Sequence, residues 1–185
     1  MGKVILGTTM SLDGFINDRN GDVSRLYPDL DALRKTEVLQ ESIRTTGAVV
    51  MGRRAYDMGQ GDLTDYEYQV PIFVLTHRVP RQAAKGENGR LTITFVTDGI
   101  ESAIKQAKAA AGDRNVTVIG SANTAQQCIQ AGLVDEIHID LMPVLLGAGL
   151  RFFEHLETVQ IELERTRVVE SPDVTHMEFR VVKEQ

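Results

Sequence analysis

Ala48-Val49-Val50-Met51-Gly52-Arg53-Arg54-Ala55-Tyr56 is the stretch on which the fold turns. Four apolar residues run without polar alternation, then a glycine and two arginines follow at once. A strand wet on one face would alternate with period two, so an unbroken apolar strand implies that both of its faces are covered. Sheets covered on both faces are built from parallel strands joined by crossover helices.

The same grammar extends in both directions. Pro71–Leu75, Leu91–Val96 and Val116–Ile119 read as further buried strands, as do Lys3–Met10 and Val134–Met142. Between them lie helical patterns. One runs from Asp29, after Pro28, to Thr45 and is closed by Gly47; the others cover Gly99–Ala111 and Ser121–Ala131. Ser11–Arg25 is polar and turn-rich, broken only by Phe15-Ile16, and Asp57–Gln69 reads as a mobile surface loop. Beyond Gly147-Ala148-Gly149 the pattern changes to alternation. Val159–Val169 and Val174–Val182, separated by Glu170-Ser171-Pro172-Asp173, predict a closing antiparallel hairpin. The expectation is an α/β chain, with residues 1–185 forming one domain around a mostly parallel sheet that has an antiparallel C-terminal strand.

Composition narrows the chemistry. The 185 residues are 42% hydrophobic and carry a formal charge of −6. That mean field repels phosphate, so neither a general nucleic-acid binder nor an anionic-membrane binder is expected, and any phosphate site must be a local concentration of basic groups. Cys128 is the one cysteine, which excludes an internal disulfide and a cysteine zinc site. The four histidines lack H-E-x-x-H spacing, so no metal site is expected. There is no signal-peptide pattern and no apolar run of roughly 18 residues, so the expected location is the cytoplasm.

In open α/β sheets ligands gather beyond the carboxyl ends of the strands. Three such ends carry the same character. Gly52-Arg53-Arg54 follows Met51, Thr76-His77-Arg78 follows Leu75, and Gly120-Ser121-Ala122-Asn123-Thr124 follows Ile119 and opens a helix. Guanidinium forks, hydroxyls and the free N–H groups of a helix start all suit phosphate oxygens. Together they point to a ligand with several phosphates, and an arginine-rich end favours NADP over NAD. Neither G-x-G-x-x-G nor G-x-x-x-x-G-K-[ST] is present. Asp140, sharing a strand face with His138 and Met142, is either a rim residue or a pocket carboxylate. Asp13, in Asp13-Gly14, is a turn residue or a second polar anchor.

Ser11-Leu12-Asp13-Gly14-Phe15-Ile16, Val50–Tyr56, Val74–Arg78, Val118–Ser121, Gly132–Glu136 and Pro143–Gly149 occur in an order that resembles the dihydrofolate-reductase-like superfamily. The chain is most similar to stand-alone relatives of the reductase domain of the bifunctional riboflavin-biosynthesis deaminase/reductase. The resemblance implies a three-layer dihydrofolate-reductase-like fold and an NADPH-dependent hydride transfer to a small pteridine- or aminopyrimidine-like substrate. It implies cofactor contacts from Thr9 and Ile16 at the nicotinamide end and from Gly52, Arg53 and Arg54 at the phosphates. Leu75, Thr76, His77 and Arg78 would serve the adenosine side and 2′-phosphate, and Ile119, Gly120, Ser121, Ala122, Asn123 and Thr124 the pyrophosphate. Asp140 and Asp13 are the expected catalytic residues, and Glu37 and Glu41 stand in rough position for a helix acid. A homodimer is implied, for which Leu141–Leu146 and Leu150–Phe153 offer apolar surface. Ala55 replaces a usual threonine. Ser121 replaces a usual second glycine, at a place where relatives often carry a cis peptide. The alternative on the same fold is a non-catalytic NADP(H)-binding or regulatory protein.

Overall fold

The computed structural model describes residues 2–157 and 160–183. Strand β1 (Val4–Ser11) lies at the centre of an eight-stranded sheet, parallel to β6 (Asn115–Ile119) on one side and β7 (Glu136–Met142) on the other. Beyond β6 come β3 (Thr46–Gly52), β4 (Ile72–Leu75) and β5 (Ile93–Val96), all parallel. Beyond β7 the alternating C-terminal segments pair as β10 (Val174–Val181) and then β9 (Leu163–Ser171). Within this sheet β10 alone runs against the rest. All seven residues of β3 are buried, as its lack of alternation requires.

Helices cover both faces. Ile104 and Ala107 of α4 (Ile100–Ala111) and Ala125 and Ile129 of α5 (Ala122–Gln130) pack with Leu6, Val50, Val118 and Ile137 on one side. On the other side Val49, Met51 and Val74 meet Leu39 and Ile43 of α2 (Glu37–Thr45) and Tyr56 of α3 (Arg53–Met58). These are the expected three layers.

Several local readings change. The helix expected from Asp29 to Thr45 is two: α1 (Leu30–Arg34), capped by Asp29, and α2, capped by Thr36, whose hydroxyl accepts from the Leu39 amide at 3.3 Å. A second N-cap inside the run restarts the helix. Gly47 does not end it. Thr46 turns straight into extended backbone, and Gly47 is a buried β3 residue lying against the Ala111 carbonyl at the end of α4. Phe15-Ile16 is not a break in a loop but the start of β2 (Phe15–Asp18), which pairs with β8 (Gly149–Arg151) as a separate two-stranded sheet. Asp57–Gln69 is not a free surface loop, because Leu63 and Tyr68 are buried in the α2/α3 layer. Val159, the expected start of the hairpin, lies outside the described residues.

Candidate functional site

The ends of β3, β4 and β6 open onto one cleft of about 820 Å³. Arg53 and Arg54 enter it from the start of α3, Leu75, Thr76, His77 and Arg78 from the end of β4, and Ser121, Ala122, Asn123 and Thr124 from the start of α5. Leu150 and His155 supply the opposite wall. Sequence reading had not singled out Thr97, Gln126 or Gln127, which also line it. Thr97 follows a short edge strand, and the two glutamines lie on the second turn of a helix that reads as ordinary.

Two glycines bring the cleft floor together. A Cβ on Gly52 would sit 2.5 Å from the Ser121 Cβ and 2.6 Å from the Thr124 Oγ1, so the β3 end and the α5 start can approach only without it. Gly120 has φ +71°, and a Cβ there would lie 2.6 Å from the Ala55 Cβ. Ala55 therefore stands where a larger side chain would press on this turn. The Gly120–Ser121 bond is trans, for no cis peptide occurs among the described residues, and Ser121 instead adopts φ 31°, ψ 110°. Arg53 is held across the cleft mouth. It donates to the Asp57 carboxylate at 2.8 Å and to the Arg78 carbonyl at 3.1 Å, while the Thr76 hydroxyl donates to that same carbonyl at 2.9 Å.

Thr9, Ile16, Gly52, Ile119 and Gly120 lie outside this lining. Ile119 pairs with Gly7 and Met51 one step behind the mouth. Ile16 sits on β2, whose neighbour Asn17 accepts from the Leu150 amide at 3.0 Å, next to the far wall. Thr9 lies further along β1, directly beside Asp140 in the β1–β7 register, and Asp140 pairs in turn with His176 on β10.

That register makes a second polar neighbourhood on the α2 side of the sheet. Asp140 Oδ1 meets His176 Nδ1 at 2.5 Å, and His176 Nε2 meets the Ser171 hydroxyl at 3.1 Å. His176 is only 3% exposed. Burial, with the nearby Asp140 charge, pushes the Tyr27 hydroxyl pKa up. Tyr68, 2.9 Å from the Ser42 hydroxyl, and Tyr66 are likewise pushed up by burial, so all three phenols hold their protons. Tyr27, Tyr68, Ser171 and His176 escaped sequence reading because their partners are distant in the chain. Their one signal was a histidine inside an alternating strand.

The other acids have different work. Asp13 Oδ1 accepts from the Ser11 hydroxyl at 2.6 Å and the Leu146 amide at 3.1 Å, and its Oδ2 accepts from the Gly147 amide at 2.8 Å. The Ser11 hydroxyl first, then these amides, hold its pKa down at about 2. Asp13 thus stays ionised and ties β1 to residues 146–147 instead of entering the cleft. Glu37 pairs with Arg44 at 2.8 Å, and Glu41 pairs with Arg167 at 2.8 Å, which holds its carboxyl below the usual range. No group of three or more His, Cys, Asp or Glu able to hold a metal ion occurs among the described residues.

Comparison with known proteins gives this arrangement a class. The RibD C-terminal domain model matches residues 2–177. The uncharacterized Bacillus subtilis protein YyaP is 25% identical over 175 residues, covering 91% of this chain and 90% of its own length. The Thermotoga maritima diaminohydroxyphosphoribosylaminopyrimidine deaminase/5-amino-6-(5-phosphoribosylamino)uracil reductase superposes with a TM-score of 0.70 at 18% identity. The match covers 98% of this chain and 57% of that one, a little over half of the bifunctional protein. A dihydrofolate reductase from Enterococcus faecalis in complex with NADP(H) superposes with a TM-score of 0.63 at 14% identity, covering 98% of both chains. The fold is thus dihydrofolate-reductase-like, and its neighbours are reductase-like enzymes. The chain belongs to the RibD C-terminal domain family.

Proposed function

We propose that the protein, acting as one unit over residues 1–185, is an NADPH-dependent reductase of a small pteridine- or aminopyrimidine-like heterocycle. The observation that carries this is the convergence of three strand ends on one cleft, with Arg53, Arg54, His77 and Arg78 around the start of α5. In an acidic chain such a cluster selects a polyanion. The donor set fits a dinucleotide: planar guanidinium forks for phosphate, a helix start for the pyrophosphate, and the Gly52 and Gly120 cradle for close backbone approach. When bound, NADPH supplies the hydride.

The chain's own residues orient, exclude water and handle the proton. Arg53, clamped to the Arg78 carbonyl, fixes the separation of the β3 and β4 ends. Asp140, beside Thr9 at the carboxyl end of β7, presents a carboxylate to the heterocycle. The phenols of Tyr27 and Tyr68 close that side with donors that stay protonated at neutral pH. A cytoplasmic homodimer is part of this proposal. No helix among the described residues is long and apolar enough to cross a membrane.

Titration with NADPH, NADH and NADP⁺, by fluorescence or calorimetry, tests the reading. Arg78→Ala removes only an exposed guanidinium, and Arg54→Ala likewise. Each loses a charge-assisted contact of about 1.5–3 kcal/mol, which weakens NADPH roughly ten- to hundredfold and NADH less. Failure of every nucleotide to bind overturns the proposal. Tight binding with no acceptor reduced by any heterocycle of the class leaves the non-catalytic NADP(H)-binding reading.

A further inference from the structure

The line Thr9–Asp140–His176–Ser171 crosses three neighbouring strands and ends on a fourth, all on one face of the sheet. Its geometry constrains its protons. A carboxylate only accepts, so with Asp140 ionised the Nδ1 of His176 carries the hydrogen of the 2.5 Å contact. With the ring neutral, Nε2 then accepts from the Ser171 hydroxyl at 3.1 Å. The imidazole is buried, whereas its two neighbours reach outward: the Asp140 side chain is 30% exposed and Ser171 is half-buried beside the Pro172-Asp173 turn. A buried ring with both nitrogens engaged, between one group at the site and one at the surface, has the form of a proton wire.

We propose that Asp140, His176 and Ser171 form a proton relay that serves the reduction site from the hairpin surface. The proposal rests on the reductase reading above and adds the source and route of the proton. With ligand over the partly exposed Asp140 side chain, the route left between Asp140 and solvent runs through His176 and Ser171. The acceptor is a carbon–nitrogen double bond. Its carbon takes the hydride, and its π pair becomes an N–H bond using a proton from the Asp140 carboxyl. That carboxyl proton is the one that leaves His176 Nδ1 for the resting Asp140 carboxylate, while Nε2 takes the Ser171 hydroxyl proton and Ser171 is refilled by water; once product leaves, water protonates Asp140, which returns a proton to Nδ1 as Nε2 gives its own back through Ser171. One hydride and one solvent proton enter, and one saturated C–N bond leaves. Asp140 is the catalytic acid; His176 and Ser171 are positioning residues that act through it.

The charged and titratable surroundings are defined. His138 and Glu136 share the β7 face, in contact at 3.1 Å, and Glu178 on β10 meets Arg167 on β9, which also holds Glu41 of α2. Tyr27 and Tyr68 face Asp140 from the covering loops. The ion pairs lock Arg167 between two glutamates.

The test uses the full chain with ¹⁵N-labelled histidine. The wild type shows a far-downfield Nδ1 proton resonance for His176 that Asp140→Asn abolishes. Saturation transfer from water then reads its exchange. Ser171→Val, on an accessible turn, slows that exchange at least tenfold, and Ser171→Thr, which restores a hydroxyl, restores it. With a reduced acceptor of the class, His176→Gln lowers kcat about 10²-fold, in the range of a lost acid–base partner, and flattens the pH profile while the KM for NADPH stays put. Unchanged exchange in Ser171→Val overturns the relay, and NADPH binding in that same sample leaves the cofactor reading standing. Ser171-gated exchange in a chain that binds no NADPH overturns the role in reduction instead. Covalent labelling of Ser171 by a fluorophosphonate also overturns the relay, because it makes Ser171 a nucleophile.

Discussion

Single atoms decide how closely the cleft floor can close. Gly52 has ordinary extended dihedrals, so its glycine is required only by the Ser121 and Thr124 atoms facing it. Gly52→Ala forces the start of α5 outward at about 1–3 kcal/mol, the usual scale of overpacking. Urea unfolding gives the loss of stability, and weaker NADPH binding in the same variant reports the displaced amides. Ser121 presents the opposite case. Its φ of 31° is a region that L-residues avoid, at a cost of order 1–3 kcal/mol, so Ser121→Gly raises stability in the same unfolding assay. The clustering of basic residues at strand ends was legible in the sequence, because it needs only the rule that strands end where ligands sit. That Gly52 and Ser121 touch was not, since it depends on β3 and β6 being neighbours. Burial pushes the Cys128 thiol up to about 12, with Glu101 adding to it. Cys128 therefore resists a disulfide reagent at pH 8 in the native chain and reacts fully in denaturant.

At the level of elements, what could be read was what is local. Continuous apolar runs gave the parallel strands, and alternation around Pro172-Asp173 gave the β9–β10 hairpin. The α1/α2 break was missed because Thr36 reads as one polar residue in an amphipathic run until its hydroxyl is seen capping Leu39. Strand β2 was missed because its partner β8 is more than a hundred residues away, and the link between them runs through Asp13, Asn17 and Arg151. Asp13→Asn should lower the melting temperature by loosening residues 146–151. The sign follows from its depressed pKa: the ionised form is favoured in the folded chain, so the contribution is present above the ordinary value of 3.8 and is lost as pH falls through about 2. The gap in melting temperature between wild type and Asp13→Asn therefore closes on acidification across that window.

Across the whole molecule, the two halves of the sheet have different tasks. The strands from β5 to β6 carry the basic cleft, and those from β1 to β9 carry the polar line behind Asp140. The apolar surface for a homodimer is smaller than the sequence implied. Phe152 and Met142 are core residues, while Leu145 and Phe153 remain exposed. Light scattering at micromolar concentration checks the proposed dimer: a dimeric mass that Leu145→Glu reduces to that of one chain supports it, and a monomeric wild type removes it. The central position of β1 has a further consequence, in the time order of synthesis. Both of its sheet neighbours, β6 and β7, lie more than a hundred residues downstream. At ~5–20 residues per second, β1 emerges from the ribosome on the order of ten seconds before either partner exists. Its apolar Val4-Ile5-Leu6 segment must wait unpaired through that interval, so the nascent chain is exposed to chaperone capture and misassociation at its very first strand.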